Sequence, residues 1–127
     1  MKKFSISWKN SKKPRKQRKY RFSAPLHIKQ KLSHSHLSKD LRKKYKMRSI
    51  SVIKGDKVKI MRGRFRKHEG KIERVDLKRT RLFVSGVETT KKDGTKANIA
   101  LHPSKVIIIE LNLDDKLRQK SLEVKNG

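Results

Sequence analysis

Residues 62–68 read RGRFRKH, so Arg62, Arg64, Arg66, Lys67 and His68 crowd around Gly63 and Phe65 with no acid among them. Such a run is suited to binding phosphate. A guanidinium bonds two phosphate oxygens at once, and an ammonium acts as a compact point charge. Phe65 either caps the end of the fold or enters a nucleic-acid groove. A second run lies upstream. Residues 9–21, KNSKKPRKQRKYR, hold eight basic side chains in thirteen positions, with Trp8, Tyr20 and Phe22 alongside. Flat aromatics set among cations stack on unpaired bases. The plainer reading of this run is a solvated basic tail.

Other chemistries find less support. His34-Ser35-His36 has a metal-binding spacing but no suitable third ligand nearby. His102-Pro103-Ser104 pairs a base with a hydroxyl, yet no acid is visible to complete a triad. The carboxylates of Asp114 and Asp115 fit a helix start. No stretch has the glycine and lysine spacing of a phosphate-cradling loop. The chain contains no cysteine, which excludes disulfides and thiolate zinc sites. No catalytic residue, metal, cofactor or small-molecule substrate is expected.

The charge of the whole chain favours a polyanionic partner. Thirty-eight Lys and Arg stand against 11 Asp and Glu in 127 residues, a net charge of +27. A charge this large opposes its own compaction unless a polyanion lies against it. It is unevenly placed: residues 1–54 carry 19 cations and one acid, and residues 55–127 carry 19 cations and 10 acids. This predicts a basic arm followed by a folded module. The longest apolar run, Val106-Ile107-Ile108-Ile109, is too short to span a bilayer, and the basic start has no apolar stretch of signal-peptide length. No membrane insertion is expected.

The elements that would position these residues follow from the periodicity. Residues 9–21 have no hydrophobic period and are expected to be disordered in isolation, the arm ending at Ala24-Pro25. Residues 26–37 have no decisive pattern. Ser38 as N-cap, Asp40 in the first turn and Leu41 one turn before Tyr45 predict a short helix over 39–46. From Arg48 the period becomes two, with Ile50 and Val52 on one face, then Val58 and Ile60 inward against Lys57 and Lys59 outward. Three further strand-like stretches and an Asp93-Gly94 hairpin turn precede KVIIIEL. Five or six short strands predict a mainly β fold, a small barrel or sandwich. Ile72 and Val75 lie three apart, so one strand face can hold both only across a bend or a bulge. Gly70 is expected to take a positive-φ turn, to allow close approach of another backbone, or both. The final stretch, NLDDKLRQKSLEVKNG, predicts a helix capped by Asn112 or Asp114 with acids in its first turn.

Gly55-Asp56-Lys57-Val58, the basic loop, Glu69-Gly70-Lys71-Ile72 and Val75 together resemble the KOW motif, a strand, loop and glycine-opened strand of an SH3-like barrel. The flanks narrow the resemblance. Ser23-Ala24-Pro25, residues 37–42 (LSKDLR), Tyr45 and residues 98–106 (NIALHPSKV) look like the archaeal and eukaryotic branch of large-subunit ribosomal protein twenty-four, numbered twenty-six in the eukaryotic scheme. The likeness covers about residues 20–115. The absence of a long C-terminal extension makes the chain resemble the archaeal members.

The resemblance implies a basic RNA-binding arm with a short helix over 1–47, an SH3-like KOW barrel over 48–111, and a C-terminal helix and tail over 112–127. It implies a non-enzymatic structural constituent of the large ribosomal subunit. Such a protein binds the 5′ region of large-subunit rRNA early in assembly, lies near the polypeptide exit tunnel in the cytoplasm, and touches neighbouring ribosomal proteins. The RNA-binding residues expected are Lys12, Lys13, Arg15, Lys16, Arg18, Lys19, Tyr20 and Arg21 in the arm and Arg42 and Lys43 in the short helix. Arg62, Arg64, Arg66, Lys67, His68 and Lys71 follow at the loop, and His102 and Lys105 after it. Gly55, Gly63 and Gly70 are expected to serve structure. Two alternatives have the same composition: a general architectural nucleic-acid-binding protein, and a KOW-type transcription factor.

Overall fold

The alternation that begins near Ile50 resolves into a six-stranded mixed sheet in a computed structural model that describes residues 3–126. The strands are β1 (His34–Leu37), β2 (Ser49–Ser51), β3 (Lys57–Ile60), β4 (Glu69–Asp76), β5 (Arg81–Val84), β6 (Glu88–Thr90), β7 (Lys96–Asn98) and β8 (Val106–Glu110). Their order in the sheet is β2-β1-β8-β3-β4-β5, and β6 pairs with β7 as a separate hairpin. Among the described strands, only β1 and β8 pair in parallel. Leu101 bridges Leu82 of β5 with hydrogen bonds of 2.7 and 2.8 Å, and the chain then enters β8 within a few residues. The sheet therefore curls back toward itself, as in a small barrel. Inward residues of every main strand, among them Leu37, Val58, Ile60, Ile72, Leu82, Val84 and Ile108, form one buried core.

The expected bulge is present. The β4–β5 register slips between Ile72 and Arg74, so Ile72 faces Val84 and Val75 faces Leu82. Both apolar residues thereby reach the core side, Ile72 buried and Val75 packed at its margin. The Asp93-Gly94 turn also forms, with Gly94 at φ +89° and Asp93 Oδ1 accepting from Thr95 N and Oγ1.

The sheet begins earlier than expected, inside the stretch assigned to the arm. β1 pairs with both β2 and β8. Its inward positions with the residue before it are Ser33, Ser35 and Leu37, all fully buried. Two of the three are serine, so hydropathy does not reveal the alternation. Ser35 Oγ donates to Pro103 O at 2.8 Å, which gives its buried hydroxyl a partner.

Helices supply the rest. α1 (Pro14–Ser23) and α2 (Leu26–Leu32) flank the Ala24-Pro25 break, α3 (Lys39–Tyr45) follows β1, and α4 (Lys116–Asn126) closes the chain. α3 matches expectation: Ser38 Oγ accepts from Leu41 N, and Lys46 ends the helix in the left-handed region with its N–H on Arg42 O. The arm carries helix where no period predicted it. Tyr20, Ala24 and Ile28 recur every four residues across the proline and form a second small core, against which Phe4 and Trp8 pack. Gln17 Nε2 donates to the carbonyls of Lys9 and Ser11 at 2.9 and 2.8 Å, tying the preceding turn to α1. In α4 the acids lie before the helix, not in its first turn. Asp115 Oδ1 accepts from Leu117 N at 2.9 Å and fills the capping role expected of Asn112 or Asp114. Gly127, the end of the predicted tail, lies outside the described residues.

Candidate nucleic-acid interface

The β3–β4 loop is a short, internally bonded turn. Lys67 N donates to Ile60 O at 2.8 Å and Ile60 N to His68 O at 2.9 Å, which closes its base. Gly63 at φ +91° and Lys67 at φ +72° supply the reversals. Phe65 turns inward against the main core, so it caps the end of the sheet. Arg62, Arg64, Arg66 and Lys67 are left exposed around it, and Lys71 is exposed on β4. No ion pair involves them among the described residues. His68 points the other way. Its Nε2 donates to Ser85 O at 2.9 Å, since a carbonyl can only accept. The ring thus joins the loop to the β5–β6 turn.

Gly70 is not in the left-handed region, contrary to the turn role expected of it. Its second expected role is what the packing requires. A Cβ there would sit 2.8 Å from Ser85 O and 3.0 Å from Val84 Cγ1. Gly55 does take φ +94°, beside Asn112.

The 3-10 turn Pro103–Lys105 connects this loop to the arm side of the molecule. Met61 N donates to Lys105 O at 2.8 Å, and Lys105 is exposed beside the loop. His102 Nδ1 accepts from Ser104 N at 3.2 Å and bonds Ser104 Oγ at 2.8 Å. Partial burial holds His102 below its ordinary pKa of 6.5, with the charges of Arg81, Arg21 and Lys105 acting in the same direction. A histidine surrounded by cations, with no carboxylate to orient it, caps a turn and does not activate a serine.

In the arm, Arg15, Arg18, Lys19 and Arg21 stand exposed on α1, and Lys12 and Lys13 are exposed just before it. Lys16 and Lys19 place their ammonium groups 5.1 and 4.9 Å from the Trp8 ring centroid. Tyr20 corrects the expectation of a stacking surface. It is 7% exposed, with its ring 5.4 Å from that of Phe4. The ring is buried because it anchors the small core that orders the arm. Arg42 is also committed within the fold: its Nε donates to Leu37 O at 2.9 Å, and its Nη2 lies 3.2 Å from His36 Nδ1. His34 and His36 are simply the outward residues of β1. No cluster of three metal-ligating side chains exists among the described residues. Lys43 is exposed on α3.

The family of ribosomal proteins numbered twenty-six in eukaryotes and twenty-four in archaea matches residues 11–125. The chain belongs to this family. Large ribosomal subunit protein uL24 of Methanothrix thermoacetophila is 53% identical over 110 residues, 87% of this chain and 95% of that protein. The protein of the same name from Korarchaeum cryptofilum is 47% identical over 115 residues, 91% of this chain and 88% of that one. The match to this ribosomal protein family runs from the arm through the sheet into α4, so all three parts fall within one family unit.

Two features of this family member escaped sequence reasoning. The first is a group of cations at the β4–β5 turn, Lys78, Arg79 and Arg81, with Thr80 at φ +53° between the last two. The turn sequence LKRT was a visible signal, but its nearness to α1 was not. The second is the Asp56–Arg118 pair. Asp56 is fully buried, and Arg118 grips both its oxygens at 2.7 and 2.8 Å. Ile53 N and Asn112 N donate to the same carboxylate. Sixty-two positions separate the partners, and no local pattern pairs them.

Proposed function

We propose that this chain is a non-catalytic structural constituent of the large ribosomal subunit that binds large-subunit rRNA. The observation that carries the reading is 53% identity, across nearly the full length, to a protein named as a large ribosomal subunit protein. The net charge of +27 and the exposed loop arginines support an RNA partner. On this reading the sheet is an SH3-like barrel of the KOW type spanning residues 48–111, with β1 added from the end of the arm. Arg62, Arg64, Arg66, Lys67 and Lys71 hold phosphates at the loop, Lys105 continues that surface, and Lys12, Lys13, Arg15, Lys16, Arg18, Lys19 and Arg21 extend it along α1. Contact with the 5′ region of the rRNA during early assembly, a position near the exit tunnel and contact with neighbouring ribosomal proteins complete the proposal. No helix among the described residues is long and apolar enough to cross a membrane.

The mechanism is phosphate neutralisation plus shape fit. Competition binding at two salt concentrations tests it, with labelled 5′-region large-subunit RNA against random duplex DNA and unrelated RNA. The cognate RNA is expected to keep its advantage as salt rises, because shape recognition does not depend on counterion release. Parallel loss for all three competitors would assign the chain to general polyanion binding instead.

A further inference from the structure

α1, the end of α2 and the β4–β5 turn enclose a cleft of about 420 Å³, comparable to small-ligand pockets. Arg18 and Arg21 line it from α1, Lys78, Arg79 and Arg81 from the turn side, and His102 from the chain before β8. No acid lines it, and none of its five Lys and Arg side chains forms an ion pair among the described residues. Asp76, at the end of β4, uses Oδ1 to accept from Arg79 N and so shapes the turn. Arg81 Nη1 donates to Thr80 O at 3.3 Å, which holds its guanidinium beside the turn.

The arm meets the sheet at this cleft. Their buried apolar residues form two separate clusters, one around Tyr20 and one within the sheet. Across the cleft the two parts present like charges to each other, which opposes their approach. Lys29 Nζ donates to Lys78 O at 3.2 Å and ties α2 to the turn, but this exposed bond neutralises no charge. Partial burial first, then the charges of Arg81 and Arg21, hold His102 below its ordinary pKa. Guanidiniums from the two walls therefore act on one point of the cleft.

We propose that this cleft is an anion site in which one RNA phosphodiester, gripped by Arg21 from α1 and by Arg81 from the start of β5, joins the arm to the sheet. The chemistry selects this occupant. Five cations without a carboxylate call for an anion, and arginine forks from opposite walls fit the oxygens of one phosphate. The phosphate supplies the counter-charge that the protein lacks there. Arg18, Lys78 and Arg79 add to the field that draws the backbone in. The proposal rests on the RNA-binding reading above and adds the β4–β5 turn as the second wall of a site whose first wall is α1.

The test uses the full chain and the 5′-region large-subunit RNA. Arg21→Gln and Arg81→Gln are each expected to weaken binding about tenfold, the effect of losing a hydrogen bond to a charged group. The double variant should lose less than the product of the two, because both arginines hold one phosphate. Phenylglyoxal modification, mapped by mass spectrometry, should find Arg21 and Arg81 shielded in the wild-type complex. Hydrogen exchange at α1 should slow on RNA binding in wild type and slow less in Arg81→Gln, although Arg81 lies outside the arm. Both side chains are exposed, so neither replacement disturbs a core, and circular dichroism checks the fold. Single variants that bind like wild type overturn the proposal while leaving the cognate preference, and so the ribosomal reading, standing. Losses that multiply would assign the two arginines to separate phosphates, and equal slowing of α1 would show that the arm docks without the cleft; either overturns it. If wild type shows no cognate preference but unrelated RNA still shields both arginines and the two losses remain coupled, the cleft stands and the ribosomal reading fails. Shielding by inorganic phosphate or by polyglutamate where RNA gives none would assign the cleft to a free anion or to an acidic protein segment and overturn the proposal.

Discussion

Gly70 shows how one missing methyl sets the β3–β4 loop in place. The residue lies in β4 opposite Val58, and its bare Cα lets Ser85 and Val84 approach. That approach brings the β5–β6 turn against the base of the loop, where His68 reaches Ser85 O. Alanine would place a methyl 2.8 Å from a backbone oxygen, which cannot swing aside like a side-chain tip. Gly70→Ala is therefore expected to cost about 1–3 kcal/mol, the range for overpacking, read as a lower urea midpoint. A midpoint equal to wild type would show that β4 shifts freely and that the close approach is incidental. Gly63 contrasts with it, since its φ of +91° matters but nothing lies within 4 Å of its missing Cβ.

The elements are held together by interactions that join distant parts of the chain. α4 is the clearest case. Its Arg118 donates to Asp56, to Asn112 O at 2.8 Å and to Ser51 O at 3.1 Å, while Leu122 is buried. The helix thus joins the turn before β3 to the end of β2. Arg118→Ala removes the cation but leaves Asp56 buried. Loss of one partner of a buried pair costs about 3–5 kcal/mol, because the remaining charge is left uncompensated. Chemical denaturation should show a loss of that order and earlier exposure of α4 amides to hydrogen exchange. A loss below about 1 kcal/mol would mean that water reaches Asp56 in the variant and that the pair is dispensable.

For the molecule as a whole, the dominant quantity is its charge of +27. The exposed arginines of the β3–β4 loop contribute little to packing, so their removal separates binding from folding. Replacing Arg62, Arg64 and Arg66 together by Ala should leave the thermal transition close to wild type. It should also weaken RNA binding and flatten the dependence of log affinity on log salt by roughly 2–3, from about 0.7–0.9 for each phosphate no longer neutralised. An unchanged slope would remove the loop from the interface. Self-repulsion also predisposes a chain of this charge to depend on its polyanion for full stability.

The sequence by itself determined the net charge of +27, the two cationic runs, α3 with its Ser38 cap, the irregularity between Ile72 and Val75, and the hairpin at Asp93-Gly94. Each of these depends on composition or on residues within a few positions of one another. Residues 23–25, 37–42 and 98–106 carried the family resemblance that the match over 11–125 bears out. Only the tertiary structure decided the rest. β1 was hidden because serines fill two of its inward positions. The helical arm was hidden because its small core gathers Phe4 and Trp8 onto a sparse Tyr20-Ala24-Ile28 row. Tyr20 moved from an expected surface to that core, His68 and Arg42 became internal braces, and the β4–β5 cations joined α1 across one cleft. These outcomes depend on which distant segments meet in space, and a one-dimensional pattern carries no measure of that distance.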